Sequence, residues 1–187
     1  GAGILARDSN IDIRFMNIRD IDGLVGEAES GDGIHYELTE KDRFTAIIDN
    51  NVISNVLDEG IQVRLGNNGA DLTEGLDLTI TNNQIDAEDH AIVVNNANRS
   101  ADGFAELVID NNTLSSAYGR GIRIANTAGQ TTIKSLQNNV VTSGIGGFTF
   151  LNGVVFDSDL TLAGFQAVSG GTTVLGSTTS RLTFDAI

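Results

Sequence analysis

Two short phrases recur along this chain in a fixed order, and that recurrence constrains the fold more than any single residue does. The first phrase is Ile48-Asp49-Asn50-Asn51-Val52-Ile53, repeated as Ile80 to Ile85, Ile109 to Leu114 and Leu136 to Val141, each with a central Asn-Asn pair. A fifth segment, Ile13-Arg14-Phe15-Met16-Asn17-Ile18, keeps the apolar frame without the pair. The last apolar positions fall at 18, 53, 85, 114 and 141, in steps of 35, 32, 29 and 27 residues. The second phrase reads Gly33-Ile34-His35-Tyr36, Gly60-Ile61-Gln62-Val63, Ala91-Ile92-Val93-Val94, Gly121-Ile122-Arg123-Ile124 and Gly147-Phe148-Thr149-Phe150. It begins its apolar run 8, 7, 8 and 7 residues after the first phrase in the later four repeats, and 16 residues after it in the first. The first repeat therefore carries an insertion, Asp20 to Asp32, and the remaining length variation falls in loops such as Gly66–Gly75 and Asn95–Gly103.

Each repeat reads as a strand, an Asn-Asn corner, a short strand, a turn, a third strand and a variable loop. Alternation has period two: in Leu76-Asp77-Leu78-Thr79-Ile80 the aliphatic residues face one way and the polar residues the other. No helical period is present, which excludes helical solenoids, and the steps are shorter than a β-propeller blade. Proline is absent, which suits a chain built almost entirely of hydrogen-bonded strand and turn. The expectation is an all-β, right-handed parallel β-helix, with about five recognisable coils and one or two irregular C-terminal coils. Residues 1–187 form a single β-helix domain or segment, regular over 11–152 and irregular over 153–187, where no Asn follows Asn152. The Asn pairs are expected to form a ladder, since Asn tolerates left-handed backbone and its amide can bond to the equivalent amide one coil away.

The phrase ΦxNNxΦ followed by GIxΦ resembles the parallel β-helix repeat of pectate-lyase-like proteins and of many bacterial surface proteins, over residues 11–152. What the resemblance implies is a fold shared by polysaccharide-cleaving enzymes and by inert surface rods. The chain has no Trp and no Pro, so it lacks the Trp-containing and Arg-x-Pro motifs of the main pectate lyases. The paired-aspartate and Ser-His-Gly signatures of polygalacturonases and the Asp-Pro-His-Glu motif of alginate epimerases are also missing.

Outward positions of the third strand form two columns. One is His35, Gln62, Val93, Arg123 and Thr149; the next is Glu37, Arg64, Asn95, Ala125 and Leu151. As a groove, this face would use Glu37 or His35 as acid or base and Arg64 or Arg123 to stabilise charge. Glu37 and Arg64 would meet one rung apart, about 4.8 Å away, as a surface ion pair. The valine, alanine and leucine in these columns read instead as ordinary surface. The acidic insertion Asp20, Asp22, Glu27, Glu29 and Asp32 has the oxygen donors calcium prefers, without a known loop spacing, and reads as a solvated loop. His35 and His90 lie in different repeats and make no metal or triad spacing with each other. No catalytic, cofactor-binding or metal-binding residue is assigned, and no cofactor is expected.

With 11 basic against 25 acidic residues the net charge is −14, which repels nucleic-acid phosphate and anionic lipid. The apolar runs are too short for a membrane span, and no basic leader with an apolar stretch is visible. Cysteine is absent, which removes disulfides and thiolate sites. Both ends read as strand without a polar cap, so the expectation is end-to-end self-association or continuation of a longer chain. The functional expectation leans to a structural or adhesive module of a bacterial cell-surface or extracellular protein rather than to an enzyme, with a carbohydrate or cell-surface ligand. The alternative is a polysaccharide lyase or glycoside hydrolase.

Overall fold

The computed structural model describes residues 1–23, 31–40, 42–66, 75–96, 104–126 and 130–143, and beyond them short strand segments between 148 and 184. The described residues contain strands and turns and no helix, so none is long and apolar enough to cross a membrane. The strands come in successive triplets. They are β1 (Ile4–Arg7), β2 (Ile11–Arg14) and β3 (Asn17–Ile21); β4 (Ile34–Leu38), β5 (Arg43–Asp49) and β6 (Val52–Val56); β7 (Ile61–Leu65), β8 (Gly75–Thr81) and β9 (Gln84–Ala87). Next are β10 (Ile92–Asn96), β11 (Phe104–Asp110) and β12 (Thr113–Ser116), then β13 (Ile122–Asn126), β14 (Gln130–Ser135) and β15 (Val140–Ser143). The last part holds β16 (Phe148–Leu151), β17 (Val154–Phe156), β18 (Leu160–Leu162), β19 (Gln166–Ser169), β20 (Thr172–Val174) and β21 (Leu182–Phe184).

From β1 to β17 every third strand joins the same sheet, which makes the chain an all-parallel β-solenoid. Sheet A runs β1-β4-β7-β10-β13-β16-β20, sheet B runs β2-β5-β8-β11-β14-β17, and sheet C runs β3-β6-β9-β12-β15-β19. β18 and β21 pair separately, also in parallel. The register follows the two phrases: Ile18, Ile53, Ile85, Leu114 and Val141 align in sheet C, and Ile34, Ile61, Ile92, Ile122 and Phe148 in sheet A. The first of these columns is buried throughout, as are Ile34, Ile61, Ile92 and Ile122 in the second. Burying each aliphatic side chain contributes about 1.5–3 kcal/mol, and a column repeats that contribution at each rung.

The Asn pair divides its work between its members. Asn50, Asn82, Asn111 and Asn138 take left-handed backbone, with φ of 56, 56, 58 and 55°, and turn the chain from sheet B into sheet C. Their partners Asn51, Asn83, Asn112 and Asn139 point inward and are buried. Nδ2 of each of the first three donates to Oδ1 of the next, at 3.0, 3.1 and 3.0 Å. The backbone N–H groups of Asn51, Asn83 and Asn112 donate to those same oxygens at 2.9, 3.0 and 3.1 Å. The amides also reach across the bend, to Ile13 O, Ile48 O, Ile80 O and Ile109 O. Groups that a buried corner would otherwise strand are thereby satisfied. In the first triplet Phe15 stands where the turning Asn belongs: it keeps the left-handed φ of 55° and is 78% exposed.

At Gly33 and Gly60 the second phrase opens on glycine because the backbone in those coils has no room for a side chain. A Cβ on Gly60 would run into Ile85 Cγ2 and sit 2.7 Å from Ala91 O. That close approach brings the turn between sheets C and A against the core.

Candidate functional site

Sheets B and C alternate buried and exposed residues as one-sided sheets do, but sheet A does not. All five residues of β4 are buried, as are four of five in β7 and in β10. The columns predicted to lie on an open face are correctly aligned in register but mostly closed to water. His35 is 0% exposed, Glu37 4%, Gln62 4% and Val93 3%. Rung spacing alone does not cause this, since Gln84 and Thr113, aligned neighbours on sheet C, stay exposed. Over β4, β7 and β10 sheet A is thus buried on both faces, a common condition of parallel sheets, and this part of the face is neither an open groove nor ordinary surface. Glu37 aligns with Arg64 as expected, and it accepts a hydrogen bond from Arg7 on the opposite side, Nε to Oε2 at 2.9 Å. The side chains of Thr149 and Leu151 lie outside the described residues.

Ionisable groups concentrate instead one step upstream, in the turns that lead from sheet C into sheet A. The residues before the first four second phrases are Asp32, Glu59, His90 and Arg120. Backbone bonds stack these turns rung on rung: Gly33 N donates to Glu59 O at 2.9 Å, Gly60 N to His90 O at 2.9 Å and Ala91 N to Arg120 O at 3.1 Å. One residue further back, Asp58 and Asp89 are joined the same way, Asp89 N to Asp58 O at 3.3 Å. The repeat therefore piles carboxylates of successive coils on one another.

The result is one continuous cluster. Asp32, Asp58 and Glu59 each offer an oxygen within 4.8 Å of the others, and so do Glu59, Asp89 and His90 with an oxygen or ring nitrogen. Glu59 belongs to both groups. Asp32 is buried, its Oδ2 2.7 Å from His35 Nδ1 and its Oδ1 accepting Glu59 N–H at 3.2 Å. Asp89 Oδ1 lies 2.8 Å from His90 Nδ1. Glu59 keeps some surface along its length, but its carboxyl end is buried and Oε2 has no hydrogen-bond partner. His35 Nε2 and Gln62 Oε1, from neighbouring rungs of sheet A, are likewise buried without a partner.

Crowding of like charge sets the protonation here. Burial, then Asp32 and Asp58, push the Glu59 carboxyl up to about 9, so it holds its proton at neutral pH. Burial also raises Asp58, helped by Asp32 and Asp89 and opposed by Glu59 and Arg64. Burial lowers His90, with Arg123 and Arg120 adding to the effect against the pull of Asp89. Chemically, this arrangement can share a proton among carboxyls or exchange that proton for a cation.

Of the acidic insertion, Asp32 is in the cluster, Asp20 turns the chain at a φ of 58° and accepts Asn55 Nδ2 at 2.7 Å, and Glu27 and Glu29 lie outside the described residues. The two histidines, which make no spacing with each other in sequence, both enter the cluster through intervening carboxylates. Asp58, Glu59 and Asp89 belong to none of the columns that the sequence picks out. The available signal was the ionisable residue standing just before four of the five second phrases.

Comparison with protein-family models, with curated proteins and with solved structures finds no match to this chain. The class of the protein is therefore the one its own topology defines, an all-parallel β-solenoid with three sheets.

Proposed function

We propose that this chain is a structural or adhesive module of a bacterial cell-surface or extracellular protein. In this reading it contributes coils to a longer rod or to an end-to-end stack, and its loops or faces contact a carbohydrate or cell-surface ligand. The solenoid would be right-handed, as crossovers between parallel strands nearly always are, and of the pectate-lyase-like kind. The observation that carries the reading is the Asn51–Asn83–Asn112–Asn139 ladder, which holds register across repeats of unequal length. Repeats that contact only their neighbours give a stiff object of adjustable length, suited to reach rather than to turnover. The net charge of −14 favours solubility and disfavours nucleic acid as a partner.

A second reading, as a polysaccharide lyase or glycoside hydrolase, draws support from one feature. Glu59 is a carboxyl that stays protonated at neutral pH beside Asp32 and Asp58, a pairing that acid–base catalysis uses. Against it, the Glu59 carboxyl end and Asp32 are withdrawn from solvent, where a polymer has no access. The test is a panel of acidic and neutral polysaccharides, scored both for binding to the immobilised chain and for release of unsaturated or reducing ends. The module reading expects binding or assembly without product. Product formation abolished by Glu59→Gln, or by Glu37→Gln or Arg64→Ala, would overturn it.

A further inference from the structure

The turns before β4 and β7 bring three carboxylates from adjacent coils together, and two features separate them from a chance acidic patch. First, Asp32 is held in place before any ligand arrives. His35, with no exposed surface, holds Oδ2 at 2.7 Å, and the Glu59 backbone N–H holds Oδ1 at 3.2 Å. The Asp58 backbone is likewise tied to the neighbouring coil, its N–H donating to Gly31 O at 3.1 Å. Carboxylates oriented by such outer bonds are what cation sites use. Second, Glu59 Oε2 is enclosed by the cluster with neither water-accessible surface nor a hydrogen-bond donor. A cation in the cluster would take the place of the proton that Glu59 holds against Asp32 and Asp58 and would give this buried oxygen a partner.

We infer that Asp32, Asp58 and Glu59 bind one divalent cation of the hard, calcium-like class, which ties two adjacent coils together at the corner between sheets C and A. Donor type and tolerance of irregular geometry select the ion. All three donors are oxygens, which suit calcium, magnesium and manganese over softer metals. The three oxygens lie within 4.8 Å of one another, inside the span of about 5 Å open to oxygens bonded to one calcium ion at about 2.3–2.6 Å. Calcium accepts irregular geometry, where magnesium demands near-octahedral order and gives up its waters reluctantly. The adjoining triad of Glu59, Asp89 and His90 would suit a softer ion, but two guanidinium groups, Arg120 and Arg123, act on His90 and repel a cation there, against the single Arg64 that acts on Asp58. Glu59 is the only ligand the two triads share. This inference stands apart from the proposed function and holds whether the rod is adhesive or catalytic.

The test uses the full chain, stripped with chelator and then titrated calorimetrically with calcium, magnesium or zinc chloride at matched ionic strength. Thermal unfolding is followed under the same conditions. The expected result is one calcium ion per chain, bound at least about tenfold more tightly than magnesium, with a rise in unfolding temperature. Glu59→Gln and Asp58→Asn should each weaken calcium binding at least about tenfold while keeping the strand signal in circular dichroism. Should Glu59→Gln fail to fold, the half-buried Asp58→Asn variant gives the same reading. Absence of saturable calcium binding, or equal calcium binding by the wild type and Asp58→Asn, would overturn the inference. So would zinc binding tighter than calcium that is lost only in His90→Gln.

Discussion

Truncating one inward-pointing asparagine tests the ladder at its centre. Asn83 Oδ1 accepts two donors from Asn51, the backbone N–H at 2.9 Å and Nδ2 at 3.0 Å. Its own Nδ2 donates to Ile48 O at 2.9 Å and to Asn112 Oδ1 at 3.1 Å. In Asn83→Ala, Asn51 Nδ2 keeps Ile13 O and Asn112 Oδ1 keeps the Asn83 N–H, so those groups are only partly deprived. The Asn51 N–H loses its acceptor and Ile48 O loses a donor. An unsatisfied buried group costs about 1–3 kcal/mol and the small cavity adds to it, which places the substitution at about 2–4 kcal/mol. The outward partner is the control. Asn82→Ala leaves an alanine in the left-handed region, at about 1–2 kcal/mol, and removes one exposed bond, Nδ2 to Asp49 Oδ1 at 2.8 Å. Urea unfolding of the full chain should show Asn83→Ala as the more damaging change. Amide hydrogen exchange should show Asn51 N–H losing protection in that variant and keeping it in Asn82→Ala. If the two variants are equally stable and the Asn51 amide stays protected in both, the corner is not held by the ladder.

Other expectations concern single positions. Phe15→Asn restores the turning residue at a left-handed φ of 55° and removes an exposed ring, so it should stabilise the chain by up to about 1 kcal/mol, read from the urea midpoint. Gly60→Ala forces a Cβ against Ile85 and Ala91 O and should cost about 1–3 kcal/mol, seen as a lower unfolding temperature. Asp49 has its carboxyl held below the ordinary value of 3.8, first by the Asn82 side chain and then by Thr81 and Asn50, against the opposing effect of burial. Its folded-state value lies below the unfolded one, so its contribution is complete above about pH 4. That contribution fades as pH falls through the folded value, and Asp49→Asn should flatten this acid limb in a pH series of unfolding curves.

The fold was legible because it is written in repeating identity. Ile53, Ile85, Leu114 and Val141 share a column and a chemistry, and so do the Asn pairs, since each rung poses the same steric problem. The division of labour within the pair was not legible, because both members are the same residue and only backbone geometry separates the left-handed Asn50 from the buried Asn51. The acidic cluster escaped for the opposite reason. Asp32, Glu59, His90 and Arg120 share a column but not a chemistry, so they do not read as a repeat until the register aligns them. The closed face of sheet A was also hidden, because period-two alternation assumes that one side of a strand faces water. His35 and Glu37 follow that alternation and are nonetheless buried.

The central claim is that this chain stacks one coil on the next in the stated parallel register, and the absence of cysteine allows a direct test. Gln84 and Thr113 are exposed, aligned neighbours on β9 and β12. Their Cα atoms should lie about 4.8 Å apart, within disulfide range. A Gln84→Cys/Thr113→Cys variant should therefore oxidise quantitatively within the monomer, as counted by free thiols and by mass. In a Gln84→Cys/Ser115→Cys variant the two-residue offset stretches the separation to about 8 Å, and the pair should stay reduced. Equal cross-linking of both pairs, or of the offset pair alone, would contradict the register and the solenoid built on it.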